Sequence, residues 1–403
     1  MISQIPKASE PSPISGPPHL PLDIYIEVLG HLKTSLVADR KTLRALALCC
    51  RDLRDASQRI LFSSMSYGHP ATATDSNRLF HILKIHSKFL SIIKESPNRL
   101  ALYVHQYSQH RLALDWRLRS TPKALKLAYR NHHVELWFLL ERALPLMVNL
   151  KSLYFAPLIY HPSSPLLLRN CFRLQLQSLT WRGLGSEDEL YTRILPFQHK
   201  LLHLDINSES HSDRLPLPDR LCTGLVSIAC SLEELARVSA SRAIIALHVA
   251  NSTWIIARTP REDLMSASER ERCITALKRI QYLRLRALPP FQKFTGGIML
   301  HEVSVLQLGV WQIEDMTLLK QFPNLHSLRL WGYFTSRVNA STTHNTAAHA
   351  FAQCPMLHGI LIVTNVANSP FALRFSPRSG GGIEAEETSI DYDVDTEWWK
   401  MIV

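Results

Sequence analysis

The stretch that decides the fold of this chain is FPNLHSLRLWG, residues 322–332. Within it, Leu325, Leu328 and Leu330 form a Leu-x-x-Leu-x-Leu pattern. In an extended strand, residues two positions apart point to the same side of the sheet, so Leu328 and Leu330 share one face and Arg329 lies on the other. The stretch therefore predicts a short strand that buries its leucines on one face and presents other side chains on the opposite face.

Nine copies of this pattern, with other apolar residues allowed, follow one another along the chain. They start 26, 25, 24, 19, 36, 23, 22 and 32 residues apart, and a leucine-rich repeat has about 20–29 residues. One such unit cannot bury its own apolar face, whereas stacked neighbours bury a continuous one. The sequence therefore predicts an α/β solenoid with a curved parallel sheet. The copies are Leu150/Leu153/Phe155, Leu176/Leu179/Trp181, Leu201/Leu204/Ile206, Leu225/Ile228/Cys230, Ile244/Leu247/Val249, Ile280/Leu283/Leu285, Val303/Leu306/Leu308, Leu325/Leu328/Leu330 and Leu357/Ile360/Ile362.

The copies are not equally regular. The two longest intervals predict insertions near Arg258–Arg272 and Ser336–Ala348, and Cys230 makes the fourth copy the weakest match. Residues 322–325, Phe-Pro-Asn-Leu, resemble the Phe-Pro-x-Leu sequence seen before strands in the leucine-rich-repeat family. The alternative interpretation is a non-repetitive α/β domain, since leucine is common enough for single matches to arise by chance.

The repeats are expected to span residues 149–375. Before them, residues 66–148 predict a helical linker and a first degenerate repeat, with helices over 79–96 and 134–144 and a degenerate strand at 100–105. After them, residues 376–403 form an acidic tail in which Gly380-Gly381-Gly382 predicts a flexible linker. The apolar end of this tail, from Trp398 to Val403, is a candidate cap for the last repeat, and a frayed tail is the alternative.

A different pattern occupies residues 18–65. After Leu20-Pro21, the apolar residues Ile24, Val28 and Leu32 recur at the spacing of one helix face. A second helix, capped by Asp39 or Thr42, and a short third helix over Asp55–Phe62 are predicted to follow. Three helices in fewer than fifty residues bury little surface, so this module is expected to lean on the following domain, on a partner, or on both.

This order of elements resembles the F-box of fungal proteins. The resemblance rests on Leu20-Pro21, on Thr-Leu-x-x-Leu-x-Leu-x-Cys-Arg over residues 42–51, and on Leu61-Phe62. It implies that the module binds an SKP-family adaptor, which joins it to the cullin of a ubiquitin ligase. The implied adaptor-binding residues are Leu20, Pro21, Ile24, Val28, Leu29, Leu32, Leu46, Cys49, Cys50 and Arg51. Leu53 stands where many F-boxes have Trp, which implies a weaker adaptor contact. A helical hairpin packed on its own domain is the alternative.

Composition narrows the class of protein. The chain has 403 residues, 46% hydrophobic and 20% charged, which is typical of folded proteins, and no apolar run is long enough to cross a bilayer. The Pro- and Ser-rich residues 1–17 predict disorder and lack the apolar core of a signal peptide. Seven cysteines without Cys-x-x-Cys spacing indicate reduced thiols and a cytoplasmic or nuclear location. The net charge of +11 comes from scattered residues, which argues against a nucleic-acid partner.

The sequence shows no catalytic constellation. It lacks the His-Glu-x-x-His, Gly-x-Ser-x-Gly, Gly-x-Gly-x-x-Gly and Gly-Lys-Ser/Thr motifs. Adjacent His132 and His133, with Glu135 one helical turn from His132, have no second ligand cluster to complete a metal site. The expectation is a protein without catalysis, cofactor or metal.

The resemblance implies that this protein is the substrate receptor of an SCF-type ubiquitin ligase. The outward positions of the later copies hold Tyr282, Arg284, Arg286, Gln307, Arg329 and Trp331. Aromatic residues and arginines dominate binding energy at interfaces, so all of these except Gln307 are predicted to bind the target. Arg284 and Arg329 lie two strands apart, about 10 Å, which suits an acidic or phosphorylated segment. The alternatives are a scaffold that does not promote ubiquitination and a basic nucleic-acid-associated protein.

Overall fold

The computed structural model describes thirteen ranges of the chain, which divides into two compact units, Met1–Ser64 and Met65–Val403. The described ranges are 21–32, 37–66, 76–109, 123–155, 168–181, 190–206, 217–218, 220–238, 242–249, 265–332, 340–366, 369–378 and 382–388. Within them, no helix is both long and apolar enough to span a membrane.

The first unit contains three helices: α1 Leu22–Gly30, α2 Val37–Cys49 and α3 Arg51–Ser63. Helix α2 begins at Val37, ahead of both predicted caps, and the Thr42 hydroxyl donates instead to the Ala38 carbonyl at 3.1 Å. Helix α3 begins before the predicted Asp55 because the Cys50 thiol caps it, accepting the backbone N–H of Leu53 at 3.5 Å. Among the described side chains of these helices, the buried apolar ones are Leu29, Leu43 and Ala47.

The described ranges contain one open sheet of thirteen strands, which run in chain order from β1 to β13. Strands β2 to β11 run parallel to one another, whereas β12 pairs antiparallel with both β11 and β13. The strands are β1 Ser64–Ser66, β2 Gln106–Gln109, β3 Ser152–Phe155, β4 Ser178–Trp181, β5 His203–Ile206, β6 Ser227–Cys230, β7 Ala246–Val249, β8 Tyr282–Leu285, β9 Val305–Leu308, β10 Ser327–Gly332, β11 Gly359–Val366, β12 Ser369–Pro377 and β13 Ile383–Thr388.

All nine predicted copies carry a strand, from β3 to β11. Their second apolar residues pair in register from Leu153 to Ile360 and form one buried row across the sheet. Cys230, in the weakest copy, aligns with Val249 and is buried like the leucines at this position. The prediction of a parallel sheet with a buried apolar face is therefore confirmed for these strands, but the opposite face is not exposed throughout, since every residue of β4, β5 and β6 is buried.

Successive repeats are joined by a recurring set of hydrogen bonds at the start of each strand. The Gln281 carbonyl, for example, accepts the N–H groups of both Ser304, at 2.9 Å, and Val305, at 3.0 Å. The same double acceptance recurs at His105, Lys151, Gln177, Leu202, Val226, Ile245 and Ser304. Because each carbonyl fixes two residues of the next repeat, the registers of neighbouring strands are set one after another.

Helices and turns return the chain between strands of the second unit. The helices are α4 Ser76–Glu95, α5 Leu100–Tyr103, α6 Lys123–Ala143, α7 Leu232–Arg237, α8 Ala267–Leu277, α9 Leu288–Thr295 and α10 Ala340–Gln353. Shorter 3-10 segments include Leu144–Leu146 and Leu195–Phe197. Helices α8 and α10 lie in or next to the two predicted insertions, so the long intervals hold regular helices. A capping box starts α8, with the Ser266 hydroxyl accepting the Glu269 N–H at 3.2 Å.

One local prediction is wrong. Residues 100–105, predicted as a degenerate strand, contain helix α5, which buries Leu100 and Ala101, and the strand β2 follows it. Of the flexible linker predicted at Gly380–Gly382, Gly380 and Gly381 lie outside the described residues, and Gly382 directly precedes β13, which pairs with β12. The Arg378 N–H donates to the Gly382 carbonyl at 3.1 Å, and Gly382 has a φ of 93°, which glycine adopts without strain. The sheet thus continues past residue 375, and the apolar end at 398–403 lies outside the described residues.

Removing β13 should destabilise the second unit, because β12 would lose its pairing partner along Ala372–Pro377. A chain ending at Arg378 is expected to melt at least about 2 °C below a control chain ending at Thr388. Differential scanning calorimetry of the two chains measures the difference. Identical melting temperatures would show that β13 contributes nothing to stability.

Candidate functional sites

Helix α1 presents apolar side chains to solvent. Ile24 is 41% exposed and Val28 is 58% exposed, although both are large and apolar. They lie one helical turn apart and so form a stripe on one side of the helix. Leu29, in contrast, is only 2% exposed. Helix α1 therefore has an inner side, which includes Leu29, and an outer apolar side that the module itself does not cover.

The other residues expected to bind an adaptor differ in their exposure. Pro21, Cys49, Cys50 and Arg51 are exposed, and Leu32 and Leu46 are half-buried. Leu29 lies in the core of the module, where it stabilises the fold rather than forming surface. Leu20 lies outside the described residues.

Three exposed apolar residues of the module were not among those expected. They are Tyr25 and Ile26 on α1 and Leu48 on α2, and Leu48 is 84% exposed. Leu48 lies on the polar side of α2, one helical turn after exposed Arg44, whereas Leu43 and Ala47 are buried. The sequence could have indicated that Leu48 is exposed, because it is an apolar residue on the polar side of an amphipathic helix. Exposed apolar surface of this kind is typical of interaction sites.

On the sheet, the structure brings together the two arginines that the sequence had paired. Arg284 on β8 and Arg329 on β10 both align with Gln307 on β9, between them. Both arginines are half-buried. Two strand spacings, about 10 Å, separate their strands. Arg286, also half-buried, follows the end of β8 and accepts the N–H of Val310 through its carbonyl, at 2.6 Å.

Tyr282 and Trp331, which were expected at the target-binding surface, are buried. Tyr282 packs with Ala246, its partner in register on β7, whose small side chain leaves room for the ring. Trp331 packs with Val363 and Ala372. Both rings therefore stabilise neighbouring repeats and offer little contact area to a partner, which corrects the prediction.

Gln307 connects the buried and half-buried residues of this region. The Tyr282 hydroxyl donates to its side-chain oxygen at 2.5 Å. This bond orients the amide of Gln307, whose side chain is itself buried, at 3% exposure. The sequence places Gln307 at an outward position, but glutamine was not among the aromatic and arginine residues predicted to bind the target.

Further back in the sheet, the outward face of β5 and β6 is buried. His203 and Ser227 align in register, and their Nδ1 and Oγ atoms lie 2.8 Å apart. Both side chains are fully buried, as is Asp205 two residues further along β5. This hydrogen bond joins adjacent repeats, and both of its side chains are shielded from solvent.

Thiol and histidine chemistry is limited in the described ranges. All seven cysteines are free, and burial raises the pKa of Cys171 and Cys273 to about 12. His132 and Glu135 form an exposed pair with Nδ1 and Oε2 3.7 Å apart. No group of three or more His, Cys, Asp or Glu side chains in these ranges could hold a metal ion.

Comparison with known proteins adds no family assignment. A scan against protein-family models finds no match to this chain, and a search of curated proteins also finds none.

Cysteine labelling should distinguish the two units. Only Cys49 and Cys50 are exposed, so two of the seven thiols are expected to react quickly with Ellman's reagent at pH 8. The other five should react only after denaturation, because buried thiols are shielded from the reagent and are harder to ionise. The variant Cys49→Ser/Cys50→Ser should lose the fast phase. Fast labelling of three or more thiols in the native chain would contradict the burial of the repeat cysteines.

Proposed function

We propose that this chain is the non-catalytic substrate receptor of an SCF-type ubiquitin ligase. Residues 18–65 act as an F-box that binds an SKP-family adaptor, and through it a cullin. The leucine-rich repeats bind the target protein. The observation that carries the proposal is the exposed apolar stripe of α1, where Ile24 and Val28 extend the Leu20-Pro21 pattern into a surface without a partner in the module.

Burial of this stripe supplies a physical reason for adaptor binding. Fully burying a side chain of this size is worth about 1.5–3 kcal/mol, and part of that gain remains available at Ile24 and Val28. Leu48, on α2, adds a third exposed large apolar side chain to those of Ile24 and Val28 on α1. The module thus retains apolar surface that a partner can cover, which is the behaviour expected of three helices with a small core of their own.

The receptor performs no chemistry in this mechanism. Its adaptor end fixes the chain on the ligase, and its repeats hold a target near the ubiquitin-charged enzyme. Holding both on one chain converts a bimolecular encounter into an intramolecular one and raises the effective concentration of the target. No cofactor or metal is required of this chain.

The target-binding site of the proposal is the outward face of β8 to β10. Arg284 and Arg329 carry permanent positive charges and flank Gln307 in the register of the sheet. Guanidinium groups bind carboxylates and phosphates through paired, charge-assisted hydrogen bonds. A target segment with acidic or phosphorylated residues is therefore the partner that this face suits.

Adaptor binding is tested by placing charge on the stripe. The variant Ile24→Glu/Val28→Glu should bind a purified SKP-family adaptor at least about tenfold more weakly, because carboxylates would have to be desolvated at the contact. Isothermal titration calorimetry measures the affinity. The matched control is Val134→Glu/Phe138→Glu, which places the same charges on two exposed apolar residues of α6 at the same spacing. Equal adaptor affinity in the wild type and the Ile24/Val28 variant would refute the F-box assignment.

Target binding is tested by reversing charge on the sheet. The variant Arg284→Glu/Arg329→Glu should lose target capture by at least about tenfold while its adaptor affinity stays unchanged. Quantitative mass spectrometry of co-purified proteins reports both quantities. Lys278→Glu/Lys320→Glu, at two exposed lysines, is the control with the same change in net charge. Normal target capture by the arginine variant would place the site elsewhere on the chain.

Two other functions would be distinguished by further assays. A scaffold would bind the adaptor or the target without supporting ubiquitin transfer in a reconstituted ligase. A nucleic-acid-binding protein would bind DNA or RNA with an affinity that falls steeply with salt.

A further inference from the structure

Four apolar side chains stand exposed in the segments that lead into four successive strands. These pre-strand segments are residues 96–105, 144–151, 168–177 and 195–202, which precede β2, β3, β4 and β5. Each contributes one exposed apolar residue. In chain order these residues, called here the apolar ridge, are Leu102 at 36%, Val148 at 37%, Phe172 at 55% and Phe197 at 47% exposure.

Hydrogen bonds join the pre-strand segments of adjacent repeats. The Asn149 side chain donates to the Leu102 carbonyl at 2.8 Å, and the Gln175 side chain donates to the Phe197 carbonyl at 2.9 Å. Val148 and Phe172 occupy equivalent positions, since each follows a residue whose carbonyl accepts an N–H three residues further on, at Leu150 and Leu174. In the next repeat His199 has this position, after Gln198, and Phe197 lies two residues before it. Each of the four segments thus exposes one apolar side chain ahead of its strand.

The fold does not require apolar residues at these positions. Lys278 and His301 occupy the position of Val148 and Phe172 in later repeats, directly after the turn residues Leu277 and Leu300. Those repeats form strands in the same sheet and in the same register. Exposed apolar residues also precede β9 and β11, at Met299 and Met356, so it is the run of four in successive segments, and not apolar exposure itself, that indicates an interaction.

Positive charge borders the ridge. The four pre-strand segments contain no Asp or Glu, and their exposed cationic residues are Arg99, Lys151, Arg169, Arg173 and Lys200. The Arg173 guanidinium lies 5.9 Å from the centre of the Phe172 ring, so one of these charges is held at the ridge itself. A partner that covers the ridge must present apolar side chains flanked by negative charge.

The spacing of the ridge selects the shape of the partner. Neighbouring strands lie about 4.8 Å apart, and an α-helix rises about 5.4 Å per turn. A helix laid along the ridge thus meets approximately one repeat per turn. Its apolar residues at three- and four-residue spacing would contact the four ridge side chains, and acidic residues on its flanks would meet the cations.

We propose that the apolar ridge is a docking surface for an acidic amphipathic helix of a partner protein. The surface shares no residue with those proposed to bind the adaptor or the target, and it does not depend on the ubiquitin-ligase assignment. Its two aromatic side chains, Phe172 and Phe197, supply most of the contact area, and the five cations select acidic partners.

A designed peptide tests the proposal with the full-length chain. The probe is a fluorescent, end-capped peptide of about 18 residues, long enough to be helical, with leucines on one face and glutamates on its flanks. Fluorescence anisotropy should show binding that weakens with salt. Phe172→Ser/Phe197→Ser should reduce the affinity at least about tenfold, and Arg173→Glu/Lys200→Glu about fivefold or more. Met299→Ser/Met356→Ser, at exposed methionines of later repeats, should leave it unchanged.

Two peptide controls and two other ligands complete the test. A scrambled peptide of the same composition and a version with lysines for glutamates should both bind at least about tenfold more weakly. Equal binding of the scrambled peptide, or an unchanged affinity in the phenylalanine variant, would overturn the proposal. The proposal would also be overturned if the helical peptide did not bind but phosphatidylserine vesicles or single-stranded RNA did, with an affinity that depended on Phe172 and Phe197.

Discussion

Each repeat of the second unit depends on its neighbours for burial and for hydrogen bonds. Most of its strands are four residues long, too short to be stable alone, and their apolar residues are buried only when a row such as Leu283, Leu306 and Leu328 is continued across the sheet. The carbonyls at the strand starts, each accepting two N–H groups, keep these rows aligned. Stability and register therefore have the same origin.

This alignment determines which surface residues can act together. Arg284, Gln307 and Arg329 come from positions up to 45 residues apart, and register alone places them side by side. The four residues of the apolar ridge likewise come from four different repeats and share no local sequence motif. In the proposed function, the first unit binds the ligase and the second unit binds the partner. Because the repeats of the second unit form a regular surface, a change of few residues would be enough to alter which partner binds.

Local periodicity in the sequence was enough to locate the strands but not to predict which of their outward side chains are buried. The positions of β3 to β11 follow from apolar residues two apart, which is a property of the strand itself. Burial of Tyr282 does not follow, because it requires Ala246, a partner 36 residues earlier that has a small side chain. Likewise, periodicity placed both Val28 and Leu29 on the apolar part of α1, but only packing within the module separates the exposed residue from the buried one. The cap of α3 by a cysteine thiol was also missed, since cysteine is not among the residues that usually cap helices.

In the proposed function, one chain joins a ubiquitin-ligase adaptor to a target. Affinity purification of the intact chain from cells, with quantitative mass spectrometry, tests this directly. We expect an SKP-family adaptor and a cullin to be enriched together with at least one further protein whose abundance rises when the ligase is inhibited. Recovery of neither adaptor nor cullin, from cells in which a known F-box protein recovers both, would contradict it.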